Sequence, residues 1–114
     1  MATFSKQLLS GSTDGKPVQV VATATAGTTI HTADGYALDE IWLYAVNTHT
    51  AAVNLTIEFG GVSAPADLIE LGLDSEAGLV LICPGIILTN SLVLGAFCDV
   101  ASVVNLVGWV NRIL

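Results

Sequence analysis

One segment, residues 39–61, constrains the fold more than any other: DEIWLYAVNTHTAAVNLTIEFGG. In its second half Val53, Leu55, Ile57 and Phe59 alternate with Asn54, Thr56 and Glu58. A period of two is what a β-strand with one buried and one wet face requires, because successive side chains leave opposite sides of the pleat. In the first half Ile41, Leu43 and Ala45 alternate with Trp42, Tyr44 and Val46, so both faces are apolar. That pattern places the strand in the middle of a sheet. The polar stretch Asn47-Thr48-His49-Thr50 between them suits a turn. The segment therefore predicts a β-hairpin, its first strand central and its second wet along Asn54, Thr56 and Glu58.

The rest of the chain continues in short apolar runs bounded by Gly, Pro, Asn, Asp or Ser. Strands are expected at 18–25, 28–32, 68–73, 79–83, 86–88, 92–98 and 103–113, and no helical periodicity lasts two turns except weakly at 67–71. About eight to ten short strands at even spacing predict an all-β antiparallel β-sandwich or jelly-roll-like barrel. The expected division is an N-terminal arm, 1–17, and a single sandwich domain, 18–114. Within the arm, Phe4, Leu8 and Leu9 form an apolar cluster ahead of the breaker run Gly11-Ser12-Thr13-Asp14-Gly15. Sixteen extended residues reach about 50 Å, enough to lie across a neighbouring subunit. The alternative is that they fold back as an edge strand of their own domain or are partly disordered.

Composition limits the functions open to such a domain. With 53% hydrophobic and 11% charged residues in 114, apolar side chains exceed what one small core can hide. Self-association or docking should cover the surplus. Ten acids face only Lys6, Lys16 and Arg112, a net charge of −7. No basic stripe exists to neutralise phosphates, so neither nucleic acid nor an anionic membrane surface is an expected partner. The uncharged stretch 77–98 is long enough to cross a bilayer as a helix. Pro84-Gly85 and Thr89-Asn90-Ser91 divide it into runs that read better as buried strands. The opening MATFSKQLLS lacks the apolar core of a cleaved export signal. Cys83 and Cys98 lie inside apolar runs and read as buried free thiols.

No catalytic or cofactor motif stands out, and an enzyme is not expected. His31 and His49, with Asp34 and Asp39 near in sequence, lack the spacing of a metal site. Asp39-Glu40 are adjacent and point to opposite faces, a poor arrangement for acid–base work. Tyr36, Trp42, Tyr44 and Trp109 offer rings for packing or for stacking on a sugar. The candidate partner-binding residues are Phe4, Leu8, Leu9, Trp42, Tyr44 and Trp109.

The series TTIHTA (28–33), DEIWLYAVNT (39–48), LTIEFGG (55–61), GLVLICPGIILTNSLVLGAF (78–97) and VNLVGWVNRIL (104–114) resembles small structural proteins of tailed-phage virions, most of all head decoration, or cement, proteins. The resemblance implies a β-barrel or sandwich core and a homo-oligomer, often a trimer. It implies the major capsid protein as partner, clamped at the outer surface of the capsid after assembly in the bacterial host cytoplasm. It carries no set of functional residues. Two other readings stay open: a tail, baseplate or head–tail joining protein, and a carbohydrate-binding sandwich that uses Trp42, Tyr44 or Trp109.

Overall fold

The computed structural model describes residues 3–114. Among them there are nine strands and no helix: β1 (Phe4–Leu8), β2 (Val18–Gln19), β3 (Thr28–Thr32), β4 (Leu38–Asn47), β5 (Val53–Phe59), β6 (Leu68–Leu73), β7 (Val80–Leu88), β8 (Val93–Cys98) and β9 (Val104–Ile113). They form a β-sandwich of two antiparallel sheets. The first has the order β1-β9-β4-β7, with β2 also on β9; the second has the order β3-β8-β5-β6. From the termini inward, β1 and β2 pair with β9, β3 with β8, β4 with β7, and β5 with β6. The chain is thus one long antiparallel hairpin with its tip at 60–67, and its successive strand pairs fall alternately in the two sheets.

Inward-facing residues of both sheets make the core. Ile41, Leu43 and Ala45 of β4 join Cys83 of β7 and Leu106 and Val110 of β9. Val53, Leu55 and Ile57 of β5, Leu94 and Ala96 of β8, and Ile30 of β3 complete it from the second sheet. Burying each large aliphatic contributes about 1.5–3 kcal/mol before chain entropy is subtracted. Of the described residues, no helix is long and apolar enough to cross a membrane. Cys83 and Cys98 are free and buried. Burial pushes the Cys83 thiol up to about 11 and raises that of Cys98. The thiolate is the reactive form. A thiol reagent near neutral pH is therefore expected to modify neither cysteine in the native protein and both after unfolding, as read by mass spectrometry.

The expected hairpin is not formed. β4 is central as anticipated, but β9 and β7 occupy both of its edges, so β5 has no edge to join and lies in the other sheet. The 47–52 stretch is instead a corner between sheets, built on the buried Asn47 side chain. Its Nδ2 donates to the carbonyls of Ala51 (3.2 Å) and Asp74 (2.9 Å), and its Oδ1 accepts from the His49 amide (2.9 Å). Thr48 closes the corner by donating its hydroxyl to the Val103 carbonyl at 2.7 Å.

Two other strand assignments differ. Residues 79–88, expected as two strands, form mainly one: Pro84-Gly85 is an irregularity opposite Trp42, with Gly85 at φ +78°. The expected strand 18–25 is regular only at Val18–Gln19, and the following residues cross to cover the second sheet. This cover buries Glu58 to 3% exposure and Thr56 to 7%, so the outer face of β5 is wet at Asn54 alone.

Among these readings of the N-terminal segment, the structure has the edge strand from Phe4 on, while residues 1–2 lie outside the described residues. Phe4–Leu8 pairs with Trp109–Ile113 of β9. Leu9 turns into the core at 2% exposure, and the Gly11 amide bonds the Ile30 carbonyl at 2.8 Å. The segment joins the domain's own sheet because β9 has a free edge within reach and Leu9 has a place to bury.

Candidate docking face

Because paired residues project to the same side of a sheet, the strand register assembles the outer face of the first sheet in rows. One row runs Leu8, Trp109, Trp42, Pro84 across β1, β9, β4 and β7. Beside it lies Val107, Tyr44, Leu81; on its other side lie Lys6, Asn111, Glu40, Ile87 and then Phe4, Ile113, Leu38. Five of the six candidate residues, Phe4, Leu8, Trp42, Tyr44 and Trp109, meet on this face. Leu9 does not, since its side chain belongs to the core. Phe4 is 71% exposed and Leu8 55%, while Trp42, Tyr44 and Trp109 are half-buried among their neighbours.

The rings are fixed from several sides. Trp42 and Trp109 lie 5.9 Å apart with planes 9° from parallel, and Tyr44 is 6.1 Å from Trp109. The Trp42 indole N–H donates to Glu40 Oε1 at 2.7 Å, and the Asn111 amide donates to the same oxygen at 3.1 Å. These two donors, the indole first, hold the Glu40 carboxyl below its usual range. Gly85 lies against the Trp42 ring, where an added Cβ would stand 3.0 Å from its edge. Lys6 places its ammonium 5.5 Å from the Trp109 ring centre, a cation–π contact. One cation, one carboxylate and the Asn111 amide thus sit within a largely apolar, pre-ordered sheet face. Rigid aromatics with satisfied polar groups around them are the anatomy of a docking surface.

Sequence reasoning missed Lys6, Leu38, Leu81, Pro84, Ile87 and Asn111 as members of this face. The alternation of Phe4, Lys6 and Leu8 was the available signal for β1.

The metal candidates resolve differently. His31 Nε2 is 2.8 Å from Asp39 Oδ2, but the Arg112 guanidinium fills the remaining space, with Nε 2.8 Å from Asp39 Oδ1. His49 stands apart in the corner after β4. Among the described residues no group of three His, Cys, Asp or Glu converges as a ligand set would.

The outer face of the second sheet carries an open groove of about 510 Å³ lined in part by Phe97, Asn54, Thr56, Glu70 and Asp99. Comparison with protein-family models, curated proteins and solved structures finds no match to this chain.

Proposed function

We propose that the chain is a structural protein of a tailed-phage virion, a head decoration or cement protein that clamps neighbouring major capsid subunits at the capsid's outer surface. It performs no catalysis in this reading and acts as a homo-oligomer, a trimer by the resemblance. The observation that carries the proposal is the apolar outer face of the first sheet, which holds the rings of Trp42, Tyr44 and Trp109 in one fixed array. The winding supports it too: we read the rolled hairpin as a jelly roll, an architecture used by viral capsid and lectin domains. Repetition over a symmetric shell lets individually modest joints act together.

In this reading the face seats on the shell. Truncating a central ring, Trp109→Ala, is expected to weaken binding by about 30-fold or more, the loss of about 2 kcal/mol that a buried aromatic anchor carries. Leu8→Lys, at an exposed edge position, should lower occupancy while shifting stability by no more than about 0.5 kcal/mol. Both are read by adding purified protein to particles that lack it and measuring bound copies. Full occupancy by both variants would remove this face from the joint. Copies matched to shell subunits support decoration, and copies matched to a single ring support a tail or connector place.

The groove on the second sheet favours a separate reading as a sugar-binding module, because Phe97 offers an aromatic surface beside carboxylates and amides. Glycan binding abolished by Glu70→Ala would support it.

A further inference from the structure

Glu58 sits on the outer face of β5, a position where a carboxylate would ordinarily reach water, yet it is 3% exposed. Its oxygens take one hydrogen bond each from neutral donors: the Gly27 amide to Oε1 at 2.7 Å and the Thr25 hydroxyl to Oε2 at 2.9 Å. A carboxylate has room for about four such bonds, so half its capacity is unused. Among the described residues no Lys, Arg or His forms an ion pair with it. The chain has only three Lys and Arg residues. Lys6 is on the other sheet beside Trp109, Arg112 is bound to Asp39, and Lys16 stands exposed in the β1–β2 loop. Glu58 is thus a buried carboxyl group for which the described residues supply no counter-charge, and a carboxylate so placed is costly until paired.

The carboxylate lines a pocket of about 340 Å³. Gly27, Gly60 and Gly95 form part of its wall, and Val62, Leu92 and Val93 form a partly exposed apolar lip. Gly95 has a particular part in this: a Cβ there would come within 2.8 Å of Glu58 Oε1. A side chain there would push the carboxylate out of its present place against β8. An apolar rim around a buried charge lowers the local dielectric and strengthens any pairing made inside it.

We propose that this pocket is a socket for a basic side chain, arginine before lysine, presented by a partner protein. The stem of an arginine packs on Leu92 and Val93, and its planar head offers the donors that the unused lone pairs of Glu58 require. Charge complementarity fixes the occupant's chemistry, because the pocket's lining holds one acidic side chain and no basic one, and its lip is apolar. The socket lies on the opposite sheet from the aromatic face and stands whether or not the virion reading does.

The alternative is that Glu58 merely clamps the 25–27 loop. Glu58→Gln separates the two, since glutamine keeps an acceptor for Gly27 and a group that can bond Thr25 but carries no charge. The probe is Nα-acetyl-arginine methylamide titrated into the ¹⁵N-labelled protein, with the citrulline analogue as its neutral isostere. The expected result is a saturable shift of the Gly27, Gly95 and Val93 amides with the arginine probe, weakened about tenfold by citrulline and by Glu58→Gln. Leu92→Arg, at an exposed lip position, should occupy the socket from within and abolish the response in a folded protein. Failure of those amides to saturate would overturn the proposal. Equal responses in wild type and Glu58→Gln, or in Leu92→Arg, would overturn it as well.

Discussion

Replacing Arg112 with alanine is expected to destabilise the fold by about 3–5 kcal/mol at neutral pH, the usual cost of stranding one member of a buried ion pair. The stranded group is Asp39, fully buried on the inner side of β4. Arg112 donates to it twice, from Nε at 2.8 Å and from Nη2 at 3.0 Å. Its other donors are neutral. The Ser10 amide donates to His31 Nδ1 at 2.9 Å, so the imidazole proton sits on Nε2 and points at Asp39 Oδ2. The Asp34 amide adds a bond at 3.1 Å. Arg112 is therefore the cation that makes this burial tolerable.

The pH dependence carries a distinctive sign. Burial works to raise the Asp39 carboxyl, but Arg112, His31 and the Asp34 amide together outweigh it and hold the group below its usual range. The native state then binds fewer protons than the unfolded state. Its contribution is present above the unfolded carboxyl value of about 4 and is lost as pH falls through the lower folded value. In Arg112→Ala burial prevails, the folded value rises, and acid relieves the stranded charge. The gap between wild type and variant should thus narrow between neutral pH and about pH 3.5, measured as urea midpoints. A gap of constant size would mean that the variant loses stem packing and not a counter-charge, and Arg112→Met, which keeps much of the stem, provides the comparison.

That network also marks where sequence reading reaches its limit. β3, β5 and β6 occupy the expected residues, because alternation and flanking turn residues are local properties of the chain. Which strand lies beside which is not local. The 41–59 segment has the composition of a hairpin, and β9, more than forty residues downstream, takes the edge that the hairpin would have used. The same gap hid Glu58, polar in an alternating pattern and therefore read as wet, until a loop from residues 22–27 closed over it. His31, Asp39 and Arg112 could each be seen in the sequence, but only the pairing of β4 with β9 puts Arg112 opposite Asp39. The aromatic face was half legible. Trp42, Tyr44 and Trp109 stood out as rings in apolar strands, and the register then set Trp42 directly opposite Trp109.

The β4–β9 pairing can be tested at one atom. Gly108→Ala is expected to cost about 3 kcal/mol or more, at the upper end of what overpacking does, because the clash is with backbone. Gly108 faces Leu43 across the two strands. A Cβ at 108 would be driven into the Trp42 carbonyl oxygen and would stand 3.1 Å from the Leu43 Cα. A crowded side chain can rotate away, but neither of these atoms can. The strands must separate instead, opening the ladder at the row that carries Trp42 and Trp109. Thermal unfolding should fall by about 10 °C or more for a domain of this size, and the near-ultraviolet signal of the stacked indoles should change with it. Gly72→Ala is the matched control, a glycine also within a strand, on β6, where an added Cβ would meet only Asn54 Oδ1 at 3.9 Å. Alanine at 72 should leave stability within about 0.5 kcal/mol of wild type. Equal losses at the two positions would mean that glycine's general cost in strands, and not the close approach of β4 and β9, governs both. A large loss at 108 alone would establish that the two central strands meet where the structure places them, and with them the aromatic face built on their outer side.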